Sequence, residues 1–170
     1  SAAYLSAIAE GSLDLALVSA PERFPSKLQM QLMCQEPMVF VCRRDHSLAH
    51  RDHVGIAELA DEDLIGFPIQ FGLRRLVEAA FAAANVTART AHEVALEYSV
   101  AARLVRHGLG TIIMPGSEAL LFPDLRAIEI RPAILWKIYL ASAEPPHTRP
   151  ASAKLAEMLL AEAVQSGASR

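Results

Sequence analysis

The sequence has few cysteines, no long apolar run and no excess of basic charge. Two of its 170 residues are cysteines, Cys34 and Cys42, which excludes the disulfide framework of a small secreted protein. No apolar stretch approaches the ~20 residues that a membrane-spanning helix needs, and the first residues lack the pattern of a secretion signal. We therefore expect no membrane segment and a reducing, cytoplasmic setting.

Both cysteines lie in apolar, strand-like segments, which favours buried and reduced thiols. The alternative is a redox-sensing pair, which requires accessible thiols of low pKa.

The charged and catalytic patterns of several protein classes are also missing. The net charge is −3 and the arginines are scattered, so this segment lacks the basic face of a DNA-binding domain. No G-x-S-x-G, P-loop or G-x-G-x-x-G motif occurs, so we expect neither an enzyme nor a bound cofactor. One polar cluster offers candidate metal ligands: Asp45, His46, His50, Asp52 and His53. Its spacing matches no zinc pattern, so a solvated loop is the favoured interpretation and no metal is expected.

Two segments place a glycine between a predicted helix and a predicted strand. Gly11 follows a helical pattern at 2–10 and precedes an apolar strand at 13–18. Gly108 stands in the same way between a helix beginning at Tyr98 and a strand at 111–114. The pattern is that of an α/β protein. It also predicts strands at 28–32, 37–42, 64–67, 125–130 and 134–141, and helices at 73–84 and 151–164.

A polar stretch from residue 43 to 55 separates the two halves of the pattern. We interpret it as a crossing between two lobes, with a return crossing near residue 138. Lobe I is then 1–42 plus 139–170, and lobe II is 43–138. Two crossings form a hinge, and a hinge between lobes makes a cleft that can close on a ligand.

Ligands of open α/β sheets bind outside the carboxyl ends of strands, often at helix N-termini. Three places in this sequence qualify: the start of the first helix, the end of the first strand, and the turn before the helix at 73–84. The turn before the helix at 73–84 suits a small organic anion, because backbone N–H groups and an arginine, Arg74 or Arg75, supply positive charge there. The candidate residues are Ser1, Val18, Ser19, Phe67, Pro68, Ile69, Gln70, Phe71, Gly72 and Arg74. The alternatives are a tag remnant for Ser1, a core position for Phe67 and a solvated helix face for both arginines.

Four segments resemble, in order, the effector-binding domain of LysR-type transcriptional regulators. They are EGSLDLALV (Glu10–Val18), QEPMVFVCRRDHSLA (Gln35–Ala49), VGIAELADEDLIGF (Val54–Phe67) and LVRHGLGTIIMP (Leu104–Pro115). Two parts of the family pattern are missing: the N-terminal winged helix-turn-helix, and a strand-helix-strand unit before the first helix.

The resemblance implies a type 2 periplasmic-binding-protein-like fold, with two Rossmann-like lobes joined by two crossover strands. It also implies a small-molecule effector, a homodimer or homotetramer, and contact with DNA only through the missing N-terminal domain. Ser1 matches a Ser/Thr position of lobe I that often hydrogen-bonds the effector, and the turn at 67–72 matches an effector-contacting loop. The rivals are a transport solute-binding protein and an enzyme on the same fold, such as a deaminase or a prephenate-type dehydratase.

Overall fold

The computed structural model describes residues 2–19, 25–95, 97–143 and 149–167. Contacts between Cα atoms divide the chain into two compact units, residues 1–35 with 137–170 (unit 1) and residues 36–136 (unit 2). Two strands run from one unit into the other, and the changes of unit fall inside them. The lobe boundaries drawn from the sequence stay a prediction.

The order of helices and strands follows the order predicted from the sequence. The helices are α1 (Ala2–Ala9), α2 (Gly72–Ala83), α3 (Tyr98–Arg106), α4 (Gly116–Ala119) and α5 (Pro150–Gly167), with a 3-10 turn at Ile56–Leu59. The strands are β1 (Leu15–Ser19), β2 (Leu28–Cys42), β3 (His53–Gly55), β4 (Leu64–Gly66), β5 (Thr90–Glu93), β6 (Ile112–Pro115), β7 (Arg126–Arg131) and β8 (Leu135–Ala143). Within the described part of the chain, no helix is long and apolar enough to cross a membrane.

Unit 1 has a small apolar core between α1 and the strand pair β1–β8. The two strands are antiparallel. Gly11 lies in the turn after α1 and has a φ of 76°, which glycine adopts at little cost. The core residues are Leu5, Ile8, Val18, Leu28 and Ala141. Tyr4 and Leu17 remain more than half exposed, so unit 1 keeps apolar side chains in contact with water.

Unit 2 contains the larger core, built around the second half of β2. This half pairs antiparallel with β6 on one side and with β7 on the other, and Phe40 faces Ile113 and Ile128. Phe40 is fully buried. Near-complete burial of this half explains its continuous apolar sequence.

The predicted strands at 28–32 and 37–42 form one strand of 15 residues. In its first half only Leu28 is buried and the other positions are exposed or half-buried, while the residues from 38 to 42 are buried except for the half-buried Val39. The hydrophobic pattern changes its period along β2 because the burial of the strand changes. The sequence pattern therefore predicted two strands where the structure has one.

Three parallel strand segments of unit 2 place their carboxyl ends at one edge. β4 is parallel to β5, and Leu64 forms a parallel bridge with Thr111, directly before β6. We call this side of unit 2 the carboxyl edge. Phe67, Val94 and Gly116 are the first residues beyond the three strands there. The unit 2 half of β2 runs antiparallel to β6, so Glu36 also lies at this edge.

Gly110 allows the backbones before β4 and β6 to approach closely. Its φ is 144°, and a Cβ atom placed on it would lie 2.4 Å from the carbonyl oxygen of Asp63. The next residue, Thr111, donates its N–H to that same oxygen at 2.9 Å. A side chain at position 110 would therefore push the two segments apart.

We expect Gly110→Ala to lower the free energy of unfolding by about 3 kcal/mol, because strained backbone and a steric clash add together. Gly11→Ala is the control, since its φ is also positive but nothing lies within 4 Å of the added Cβ. We expect it to cost about 1 kcal/mol. Urea denaturation measures both, and equal losses would contradict the close approach at Gly110.

Candidate functional site

The N-terminus of α2 presents free backbone N–H groups at the carboxyl edge. Phe71 is the N-cap residue, with φ −82° and ψ 134°, and its side chain makes no capping hydrogen bond. The N–H of Phe71 closes a turn onto the carbonyl of Pro68 at 2.9 Å, and the first return bond of the helix comes from Arg75 to Phe71 at 3.4 Å. The N–H groups of the first three helical residues therefore lack intrahelical acceptors. Together with the helix dipole they favour an anion.

The turn before α2 contains both buried and exposed residues. Phe67 is 2% exposed, and its ring packs edge-on against Tyr98 with 5.4 Å between ring centroids. Phe67 is therefore part of the core of unit 2, as one of the two interpretations had it. Pro68 and Phe71 are half-buried, whereas Ile69 and Gln70 are exposed and accessible to a ligand.

Arg74 is held by its own helix and by β5. Its Nε donates to Glu78 at 2.6 Å, and its Nη1 donates to Glu93 at 3.2 Å and to the carbonyl oxygen of Phe67 at 3.3 Å. The side chain is 16% exposed, so the solvated-face alternative is wrong for Arg74. Two carboxylates already balance its charge. Gly66 makes room for it, because a Cβ there would lie 2.9 Å from Nη1.

The neighbouring arginine differs from Arg74. Arg75 is half-buried, and among the described residues its side chain has no hydrogen-bond or ion-pair partner. The i, i+4 spacing of Arg74 and Glu78 was visible in the sequence and indicated which arginine would be paired.

Two of the three candidate ligand-binding residues of unit 1, Val18 and Ser19, lie at the carboxyl end of β1. Val18 is 2% exposed and belongs to the apolar core of that unit, and Ser19 is also buried. Ser1 lies outside the described residues. The assignment of these three residues to a ligand site stays a prediction.

The side chain of His46 is half-buried and makes contacts within the fold, so the interpretation as a solvated loop is wrong for this residue. Its Nδ1 accepts the N–H of Leu48 at 3.2 Å, so Nε2 carries the proton when the ring is neutral. Nε2 lies 3.1 Å from a carboxylate oxygen of Glu62, and the ring packs edge-on against Phe40. The half-buried imidazole thus joins the turn after β2 to the turn before β4. Within the described residues, no group of three or more metal-ligating side chains is arranged to hold a metal ion.

The two cysteines have different surroundings. Cys42 is fully buried, and burial, together with the charge of Glu62, raises the pKa of its thiol to about 11. Cys34 is exposed, so the expectation that both thiols are buried is wrong for Cys34. The reason is its place in the half-exposed first half of β2. The residues are eight positions apart on one strand, about 26 Å, which excludes a disulfide within that strand.

Comparison with known proteins gives one consistent result. A family model described as the LysR substrate binding domain matches residues 1–164. The chain is 32% identical over 116 residues to YybE of Bacillus subtilis (strain 168), an uncharacterized HTH-type transcriptional regulator. It is 33% identical over 111 residues to HcaR of Escherichia coli (strain K12), the Hca operon transcriptional activator. These alignments cover 68% and 64% of this chain, but 39% and 37% of the two relatives.

A solved structure agrees with these matches. The effector binding domain of QuiR in complex with shikimate superposes with a TM-score of 0.82 at 26% identity, covering 96% of this chain and 78% of that one. The predicted α/β fold of the type 2 periplasmic-binding-protein kind is confirmed.

We expect Arg74→Met to lower the free energy of unfolding, because it removes two ion pairs. The loss should be only about 1 kcal/mol, since both carboxylate partners are partly exposed to water. Arg75→Met is the matched control, which we expect to change stability by less than about 0.5 kcal/mol. Chemical denaturation measures both. Equal effects would show that the ion pairs of Arg74 do not stabilise the fold.

We also expect a thiol reagent at neutral pH to label the native chain once, at Cys34, and the unfolded chain twice. The buried Cys42 thiol has too little thiolate to react, because its pKa is raised. Mass spectrometry counts the labels. The Cys34→Ser variant should remain unlabelled while native, and rapid labelling of that variant would contradict the burial of Cys42.

Proposed function

Because this chain belongs to the LysR substrate-binding domain family, we propose that it is the effector-sensing domain of a LysR-type transcriptional regulator. In this proposal it binds a small organic anion at the N-terminus of α2 in unit 2. The observation that carries the anion assignment is that the N-cap residue, Phe71, makes no side-chain capping hydrogen bond to the start of that helix.

The positive charge of this site comes from backbone and not from Arg74. Glu78 and Glu93 balance the guanidinium of Arg74, whereas the N–H groups of Gly72 and the two residues after it have no acceptor within the helix. The exposed Ile69 and Gln70 stand beside the helix start and can contact the rest of the ligand.

The relatives support a regulator over the two rivals. Both curated relatives are named as transcription factors, and the QuiR domain was solved with shikimate, a hydroxylated carboxylic acid. Neither name points to transport or to catalysis. We assign no catalytic step to this chain, and we propose that it acts in the cytoplasm, where its DNA target lies.

The chain spans less than two fifths of the curated relatives it matches. We propose that a winged helix-turn-helix outside this sequence binds the DNA, and that the sensing domains assemble as a homodimer or homotetramer. An effector changes such an assembly only through its different affinity for the alternative states.

We expect Gly72→Pro to weaken binding of a small carboxylate about tenfold, as measured by isothermal titration calorimetry with shikimate and a panel of aromatic and aliphatic acids. Proline is well tolerated at the first helical position but removes one N–H donor. A hydrogen bond to a charged acceptor is worth about 1.5 kcal/mol or more, which is roughly tenfold in Kd.

Gly72→Ala is the matched control, because it keeps the N–H and should bind the acid with nearly unchanged affinity. A variant of the buried Phe67 would be a poor test, since truncating a core phenylalanine costs about 3–5 kcal/mol of stability. Equal affinity of the proline and alanine variants would contradict the anion site. The anion site would also be contradicted if the unsubstituted chain bound none of the acids in the panel.

A further inference from the structure

A cavity of about 680 Å³ lies in unit 2 at the amino ends of the strands that form the carboxyl edge. We call it the amino-edge cavity. Its lining residues come from four segments: 43–47 after β2, 61–63 before β4, 89–92 around the start of β5, and 108–111 before β6. The cavity is therefore at the opposite ends of these strands from the N-terminus of α2, and the proposed anion site does not include it.

Thr111 brings a buried hydroxyl without a hydrogen-bond partner to the amino-edge cavity. The residue lines the cavity and is only 3% exposed, and within the described part of the chain no group bonds to its Oγ1. Its backbone is fixed, because its N–H donates to the carbonyl oxygen of Asp63 at 2.9 Å and its own carbonyl accepts the N–H of Ile65 at 2.7 Å. Buried polar groups normally have a partner, so this hydroxyl has an unused capacity to bind a ligand.

The charged groups that line the amino-edge cavity have a negative excess. Four carboxylates face two arginines, so two negative charges remain when the histidines are neutral. These residues are Asp45, Asp61, Glu62, Asp63, Arg43 and Arg89. A positively charged ligand therefore suits the cavity better than an anion.

Asp61 provides a carboxylate that is free to pair with such a ligand. Among the described residues its side chain has no hydrogen-bond or ion-pair partner. The other three carboxylates pair with Arg43, Arg89 and His46. Arg89 also donates to the carbonyl oxygen of Asp61, which orders the turn and leaves the carboxylate unpaired.

The arrangement of these oxygens favours an organic cation over a metal ion. Within the described residues, no three metal-ligating side chains converge on one point. An alkylammonium group instead donates up to three hydrogen bonds and keeps its charge at neutral pH, as lysine does. A carboxylate and a threonine hydroxyl oxygen both accept such bonds. A molecule with two ammonium groups matches the two excess negative charges.

We infer that the amino-edge cavity is a second ligand site, and that it binds small aliphatic diamines. One ammonium group donates to the carboxylate of Asp61, and the buried hydroxyl of Thr111 accepts a hydrogen bond from the ligand. This site is additional to the proposed anion site and does not depend on it.

A diamine and the diol of the same length test the charge preference. We expect isothermal titration calorimetry at low salt to detect binding of 1,4-diaminobutane, and 1,4-butanediol to bind at least tenfold more weakly, because it offers no charge. Equal affinity for both compounds, or no binding of the diamine, would overturn the inference. Gly72→Pro should leave the affinity for the diamine unchanged, and a loss there would place the diamine at the other edge.

Asp61→Asn tests the free carboxylate. We expect it to weaken the diamine about tenfold, because it replaces a charged acceptor by a neutral one. Asp52→Asn is the matched control, since Asp52 lies outside the cavity and its side chain is 98% exposed. Equal effects of the two substitutions would show that the diamine is attracted by net charge alone, without a site at Asp61.

Thr111→Val tests the buried hydroxyl and separates ligand binding from a structural function. We expect the melting temperature of the free chain to stay the same or rise, because the lost hydroxyl has no partner, and the affinity for the diamine to fall about fivefold. Thr87→Val, at an exposed position, should change neither. Unchanged affinity in Thr111→Val would contradict the assignment of its hydroxyl to the ligand.

Discussion

The parallel alignment of β4 with β5 and with the start of β6 decides where the candidate ligand-binding groups of unit 2 lie. Parallel strands bring their carboxyl ends to one edge, and the segments that follow them begin there. Phe67, Tyr98 and Ser117 are far apart in sequence but follow successive strands of this set. The alignment depends on Gly110, which lets the carbonyl oxygen of Asp63 approach the start of β6.

Charge is distributed unevenly along the carboxyl edge. At one end the N–H groups of α2 are uncapped, and the nearby guanidinium of Arg74 is balanced by its partners. At the other end Glu36 binds Ser117. Among the described residues no carboxylate accepts a hydrogen bond from the first N–H groups of α2, so the helix dipole remains a source of positive potential.

Several polar residues that attract attention in the sequence have structural functions. His46 orders the turn after β2 by bonding to Leu48 and Glu62. Arg106 holds Asp124 in a two-point ion pair, and this pair lowers the pKa of the Asp124 carboxyl to about 2. These polar groups form hydrogen bonds and ion pairs with one another. The polar stretches near residues 45 and 124 therefore connect loops of unit 2.

The sequence alone determined the succession of helices and strands, the glycine at the ends of α1 and α3, and the family, because these depend on short-range periodicity and local backbone conformation. It also identified the turn before α2. Only the tertiary structure decided that Phe67 is core, that Arg74 is neutralised partly by Glu93, that Cys34 is exposed, and that Tyr98 and Glu36 lie at the carboxyl edge. Each of these facts depends on partners from other strands, and the pairing of strands distant in sequence leaves no signature in a local pattern.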